Sequence, residues 1–267
     1  INNFLTVSTQ VIVLFILIAI GFICGKVKII NDSTSKSISS ICLYFSTPAV
    51  IINSFFRPFD SSMLINLFIA FSIAIVFHAI AIGIAYIGAH DKNLNSDIVK
   101  KYGVIFSNAG FMSLPLQLAI LGNEGVFYGS AYVVIFNIIA WTFGVALMGG
   151  KGGKITPSKL IFNPGGIGIV IGLIIFLLNI AKFVPSPIQS AVAHISNLNT
   201  PLPMLIIGYH LSKAKIISAI TDKRIWVSIL LRLVLAPFVS LLILYLLKFT
   251  PLQIENSIAV ASIIAAS

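Results

Sequence analysis

Long apolar runs, each bounded by a few charged or turn-forming residues, recur near 4–25, 37–56, 62–89, 98–121, 125–148, 160–181, 188–211 and 225–247. A bilayer core about 30 Å thick takes about 20 apolar residues as a helix, so each run predicts a membrane span. A ninth run opens near Ile254 and is expected to be cut short at Ser267, which reads as a truncated chain. The first run, Phe4 to Cys24, is longer than a signal-peptide core and lacks a basic leader, so it predicts a true first span. The expected fold class is an all-α polytopic membrane protein.

Composition agrees. The chain is 58% apolar and 9% charged, with a mean hydropathy of +1.07, against about 25% charged residues in soluble domains. The polar stretches are too short to fold as a separate domain. A net charge of +10 would suggest nucleic acid in a soluble protein, but here its placement gives it another meaning. Thirteen of the seventeen Lys and Arg residues fall in the loops after spans 1, 3, 5 and 7, while Arg57, Lys182 and Lys248 occupy the other loops. The positive-inside rule then puts the odd loops in the cytoplasm and the N-terminus outside, in a cell membrane. Cys24 and Cys42 fall inside spans, where they read as small buried apolar residues and not as a disulfide framework.

Ser46-Thr47-Pro48 in span 2 and Asn199-Thr200-Pro201 in span 7 resemble each other at an offset of 153 residues. Five spans separate the copies, and an odd number of crossings inverts the second, a pattern common in secondary transporters. The expected organisation is a first repeat over 1–150 and an inverted second over 151–267, joined at the Gly149–Lys154 connector. Span 4 carries Ser107-Asn108-Ala109-Gly110-Phe111-Met112-Ser113-Leu114-Pro115, which predicts an interrupted helix. Its copy would fall in span 9, approached by the small residues of Ala261 to Ser267. Backbone groups freed at Pro115 cost several kcal/mol each in lipid unless they line a wet cavity or meet a ligand. Pro48 and Pro201 are candidate breaks or hinges too, with a simple kink as the alternative.

Around these breaks Asn108 is the strongest candidate for substrate contact, because an amide can cap freed backbone and donate to a carboxylate. Gly110 and Ser113 flank it. Ser46, Thr47, Asn199 and Thr200 either line a cavity or bond their own helices, and Asn137 in span 5 faces a partner helix or the cavity. Arg232 lies well inside span 8, where a charge costs about 2.5–3.5 kcal/mol on insertion scales. It either snorkels or pairs structurally, or it attracts an anion. His78 and His210 lack metal-ligand spacing.

Absent motifs narrow the class. Ile155 follows Lys154 where a phosphate loop needs Ser or Thr, and no hydrolase or intramembrane protease signature is present, so the chain reads as a non-enzyme. Asp32, Asp60, Asp91, Asp97, Glu124, Asp222 and Glu255 fall in loops or at span ends, giving no buried carboxylate for sodium or proton coupling, and no cofactor or metal is expected.

The span-4 motif, Asn163-Pro164 ahead of Ile171-Gly172-Leu173, and Asn199-Thr200-Pro201-Leu202 with Met204 and Gly208 together resemble the auxin efflux carrier family. The resemblance implies ten spans in two inverted five-helix repeats, with helices 4 and 9 broken and crossing near the midplane to form the substrate site. About eight and a half of those spans are present here. It also implies small organic anions such as malate, malonate or auxin-like acids as substrates, moved by an elevator-like or rocking motion. A homodimer is a further expectation, and no nucleic-acid partner is. A sodium-coupled symporter of the bile-acid type shares this design, and a membrane sensor that binds the same ligands without transport is the rival from another class.

Overall fold

A computed structural model describes residues 2–91, 93–149, 164–214, 221–247 and 254–266. The Gly-Lys connector after Gly149, Asn163 and the boundary proposed at 150 lie outside them. Every described element is helical. In chain order these are α1 (Asn2–Lys26), α2 (Asp32–Ile41), α3 (Thr47–Ser54), α4 (Ser61–Gly88), α5 (Leu94–Ile105), α6 (Leu114–Ile139), α7 (Val145–Gly149) and α8 (Pro164–Leu177). They continue with α9 (Ser186–Asn197), α10 (Pro201–Lys213), α11 (Lys223–Leu230), α12 (Ala236–Leu247) and α13 (Asn256–Ala266).

Five segments among the described residues are long and apolar enough to cross a membrane: Val7–Lys26, Asp32–Ser54, Ser61–Gly88, Leu94–Gly149 and Ile225–Leu247. The fourth holds two of the expected spans. Gly122, at φ 64° and ψ −156°, turns the chain between them, a conformation that glycine adopts without a steric penalty. Span 7 is two helices, α9 and α10, separated by a turn at Leu198–Thr200.

Wide π turns recur. They occupy Cys42–Ser46, Ala109–Ser113, Leu231–Leu235 and Ala140–Gly144. The first three each end two residues before a proline: Pro48, Pro115 and Pro237. A proline lacks the N–H that would bond the carbonyl four residues back, and its ring clashes with that carbonyl. In each case this carbonyl (Tyr44, Phe111 or Leu233) lies at the centre of the wide turn, where one surplus residue relieves the clash. Span 2 is therefore continuous through Pro48, which widens the helix instead of breaking it. Pro201 opens α10 at the first turn, where a missing donor costs nothing. Pro115 is accommodated by the wide turn Ala109–Ser113 that leads into α6, and the interruption itself lies upstream at Phe106–Asn108.

The helices form two compact units, each drawing on both halves of the chain. Unit 1 comprises Ile1–Asp60, Gly110–Phe127 and Pro164–Ile216. In it α1 packs on α10, while α3 packs on α8 and α9. Small residues set both approaches. A Cβ on Gly208 would strike the Ile18 carbonyl oxygen, and one on Gly21 the backbone of Leu205. On α8, a Cβ on Gly168 would lie 2.9 Å from Pro48 Cα and one on Gly172 2.6 Å from the Phe55 ring. Gly21/Gly25 and Gly168/Gly172 are two small-xxx-small seams, the means by which helices approach closely in lipid. Phe55, Phe127 and Phe176 stack beyond the second seam, with the Arg57 guanidinium 4.8 Å from the Phe127 centroid.

At one end of this unit the Tyr209 hydroxyl and Lys213 ammonium both donate to Asp32, at 2.8 and 2.7 Å. Exposed His210 lies 3.4 Å from the Ser35 hydroxyl.

Unit 2 comprises Ser61–Ala109, Tyr128–Asn163 and Ile217–Ser267. Here α4 packs against α5, α12 and α13, and α5 against α7 and α11, around buried Ala85, Ala89, Val104 and Ile105. The loop before α5 is knotted. Asp91 accepts from Lys100, from the Ser96 hydroxyl at 3.0 Å and from the Asn93 N–H at 3.0 Å, and Lys101 pairs with Asp97 at 2.7 Å. The Lys100 bond, first among these, holds the Asp91 carboxyl far below its ordinary value. Its contribution is present above the ordinary carboxylate pKa and is lost as pH falls through the lowered one. Wild-type protein should therefore keep amide protection at Asn93, whose N–H donates to Asp91, below about pH 4. In hydrogen exchange, Asp91→Asn should lose that protection already at neutral pH.

Large apolar side chains such as Phe15, Ile16, Phe68, Phe238 and Leu241 face outward. In a bilayer these are the lipid-facing surface.

Candidate functional site

Unit 1 draws four of the sequence candidates into one knot. Asn199 is 1% exposed. Its Oδ1 accepts from the Thr47 hydroxyl at 3.0 Å and from the Ser46 hydroxyl at 3.4 Å, while its Nδ2 donates to the Gly110 carbonyl at 3.3 Å. Ser46 and Asn199 are the paired positions of the two short motifs, so the 153-residue offset joins residues that touch. The Gly110 carbonyl is free for this bond because the π turn before Pro115 loosens the local helical ladder. Thr200 caps nothing with its side chain and is half-buried. Ser113 is buried and accepts from the Gln117 amide at 2.8 Å.

In unit 2, α5 ends at Ile105 and the chain runs without helix through Phe106, Ser107 and Asn108. Asn108 is exposed and bonds to no described residue. Ser107 beside it is buried, and its hydroxyl donates to the Ala265 carbonyl at 2.6 Å, so the end of α13 meets the break at this point. Asn137 donates to the Val133 carbonyl one turn back, at 2.8 Å. One of its donor groups is thus held within its own helix.

Arg232 lies in the π turn Leu231–Leu235 and is 7% exposed. Its side chain is buried, not snorkelled. One guanidinium nitrogen, Nη1, donates to the Val104 carbonyl at 3.1 Å, near the end of α5, where helix carbonyls lack partners. Nη2 has no hydrogen-bond partner among the described residues. Tyr132 faces both Arg232 and Ser107, and its ring lies 4.6 Å from His78. His78 is fully buried. Its Nδ1 meets the Ala74 carbonyl at 2.8 Å, so that nitrogen carries the proton, and Nε2 has no hydrogen-bond partner among the described residues.

A family described as membrane transport protein matches residues 6–266. The chain belongs to that family, the auxin efflux carriers. An uncharacterized transporter of Methanocaldococcus jannaschii is 24% identical over 212 residues, which span 76% of this chain and 68% of that protein. As an auxin efflux carrier family member, the chain is a multi-pass membrane transporter. Asn108 and the Asn199 knot then belong to a membrane-embedded machine, where backbone freed from helix is tolerated only against protein or water.

Neither the paired Gly-xxx-Gly seams nor the rule linking proline to a wide turn two residues upstream entered the sequence reading. Both signals were available in it: glycines four apart in spans 1 and 6, and Pro237 five residues after Arg232.

Proposed function

We propose that this auxin efflux carrier family member is a secondary transporter that moves small organic anions, such as malate, malonate or auxin-like acids, across the cytoplasmic membrane by alternating access. The observation that carries the reading is the interruption at Phe106–Asn108, which leaves an exposed amide beside non-helical backbone inside an apolar span. A carboxylate is the ligand such donors suit, since charge-assisted hydrogen bonds to it are about twice as strong as neutral ones. Asn108 contacts the substrate, and Gly110 and Ser113 shape the backbone beyond it. Asn199 with Ser46, Thr47 and Thr200 holds that backbone in place. The repeats 1–150 and 151–267 are inverted copies, and the basic odd-numbered loops face the cytoplasm with the N-terminus outside.

In proteoliposomes, labelled malonate, malate or indole-3-acetate is expected to accumulate or exchange, with and without a sodium or proton gradient. Asn108→Ala should reduce uptake at least tenfold while abundance and elution profile stay unchanged. Wild-type rates in that variant would remove Asn108 from the mechanism. A wild-type protein that moves none of these acids would end the organic-anion reading.

A further inference from the structure

The break in span 4 is not dictated by its own residues. Val104-Ile105-Phe106-Ser107-Asn108-Ala109 holds neither glycine nor proline, and Pro115 is accommodated by the wide turn Ala109–Ser113 that follows. Phe106 is nevertheless extended, at φ −100° and ψ 117°, and α5 ends there. In a continuous helix each carbonyl accepts from the N–H four residues on, so the Val104 carbonyl would hold the Asn108 N–H. Here it accepts from Arg232 Nη1 at 3.1 Å, and Asn108 bonds to no described residue. A guanidinium from span 8 thus stands where a backbone donor of span 4 would be.

Two further contacts within unit 2 fix the same segment. Ser107 donates to the Ala265 carbonyl at 2.6 Å, and the Tyr132 hydroxyl faces both Ser107 and the Arg232 guanidinium. Arginine can only donate. Tyr132 therefore accepts from Arg232 and gives its own hydrogen to Ser107, whose hydrogen goes on to Ala265. Val104 and Ser107 are held on either side of the extended Phe106, while Asn108 stays exposed. A buried charge is a costly way to cap one carbonyl, and here it holds a helix open at the candidate site.

We infer that Arg232 is a positioning residue for the candidate site: by occupying the Val104 carbonyl it keeps the Asn108 N–H off its own helix, so that this backbone donor and the side-chain amide are both left for a solute. The inference deepens the transport reading, from which Asn108 takes its role, but its test needs no substrate. Hydrogen exchange at the Asn108 backbone amide is followed in ligand-free, full-length protein in phosphatidylcholine nanodiscs. Wild type should exchange fast there. In Arg232→Met the Val104 carbonyl is released to Asn108, and exchange should slow about tenfold, the worth of one hydrogen bond. An arginine that only supported packing would give the opposite, since a loosened segment exchanges faster. Arg232→Lys keeps a donor and should stay fast. Tyr132→Phe removes one hydroxyl and no bulk, and should slow exchange in the same direction; it is the second variant should Arg232→Met fail to fold. Thermal unfolding and elution profiles check each variant's fold.

Unchanged or faster exchange at Asn108 in the folded Arg232→Met or Tyr132→Phe protein would overturn the inference, as would an Asn108 amide already protected in wild type. Labelled malonate, malate and indole-3-acetate uptake by the same proteins separates the two readings. Slowed exchange in the variants of a protein that moves none of these acids would leave Arg232 in this role and end the transport reading. Transport by a wild type whose Asn108 amide is protected would do the reverse.

Discussion

Gly208→Val is expected to leave little folded protein in a detergent extract. The added Cβ alone would strike the Ile18 carbonyl oxygen and press on the Phe22 nitrogen and the Gly21 carbon. All three are backbone atoms, so no rotamer change relieves the contact and α1 must part from α10. Overpacking that side chains absorb costs about 1–3 kcal/mol. A backbone clash along a helix seam exceeds that, against a total stability of about 5–15 kcal/mol. Gly83→Ala, with nothing within 4 Å of the new carbon, is the control and should behave as wild type. Fluorescence-detected elution and thermal unfolding read the difference. A monodisperse Gly208→Val protein with a wild-type Tm would show that the α1–α10 seam is not held by backbone approach.

Asn199→Leu should carry the second largest penalty, because one side chain satisfies three partners. Leucine has a similar volume but leaves the Ser46 and Thr47 hydroxyls without their acceptor and the Gly110 carbonyl without its donor. Each buried group stripped of its bond costs about 1–3 kcal/mol, so a loss of about 3 kcal/mol or more is expected in thermal or denaturant unfolding. Thr47→Val in the Asn199→Leu background should cost less than Thr47→Val alone, since its hydroxyl has already lost its partner. Additive losses would mean that the two residues do not interact.

Most of the spans were legible in the sequence because lipid imposes one strong rule on composition, and runs such as 4–25 and 62–89 satisfy it without tertiary help. The interruption of span 4 was legible for the same reason, since Asn108 and Gly110 are anomalous in hydrocarbon. Its position was less so. Proline suggested a break at 115, but the wide turn Ala109–Ser113 accommodates it, and the chain leaves the helix at Phe106–Asn108, at the start of the same motif. Two similar motifs even resolve differently. Pro48 sits in a continuous, widened helix and Pro201 at a true start, because a missing donor can be met by either device and packing chooses between them. Arg232 was legible as an anomaly, but its Val104 partner lies 128 residues away in sequence, and no local pattern encodes that pairing.

The prolines have a consequence for where chemistry stands in this chain. Ser46, Gly110, Ser113 and Arg232 all lie in wide turns that end two residues before an imino acid. A surplus residue offsets everything on one side of such a turn by about 100° around the helix axis, given 3.6 residues per turn. The direction in which each of these groups points is thus set by Pro48, Pro115 or Pro237, none of which carries a functional group of its own. Proline here acts as a compass for its upstream neighbours, and a search for specificity confined to polar side chains would pass over the residues that aim them.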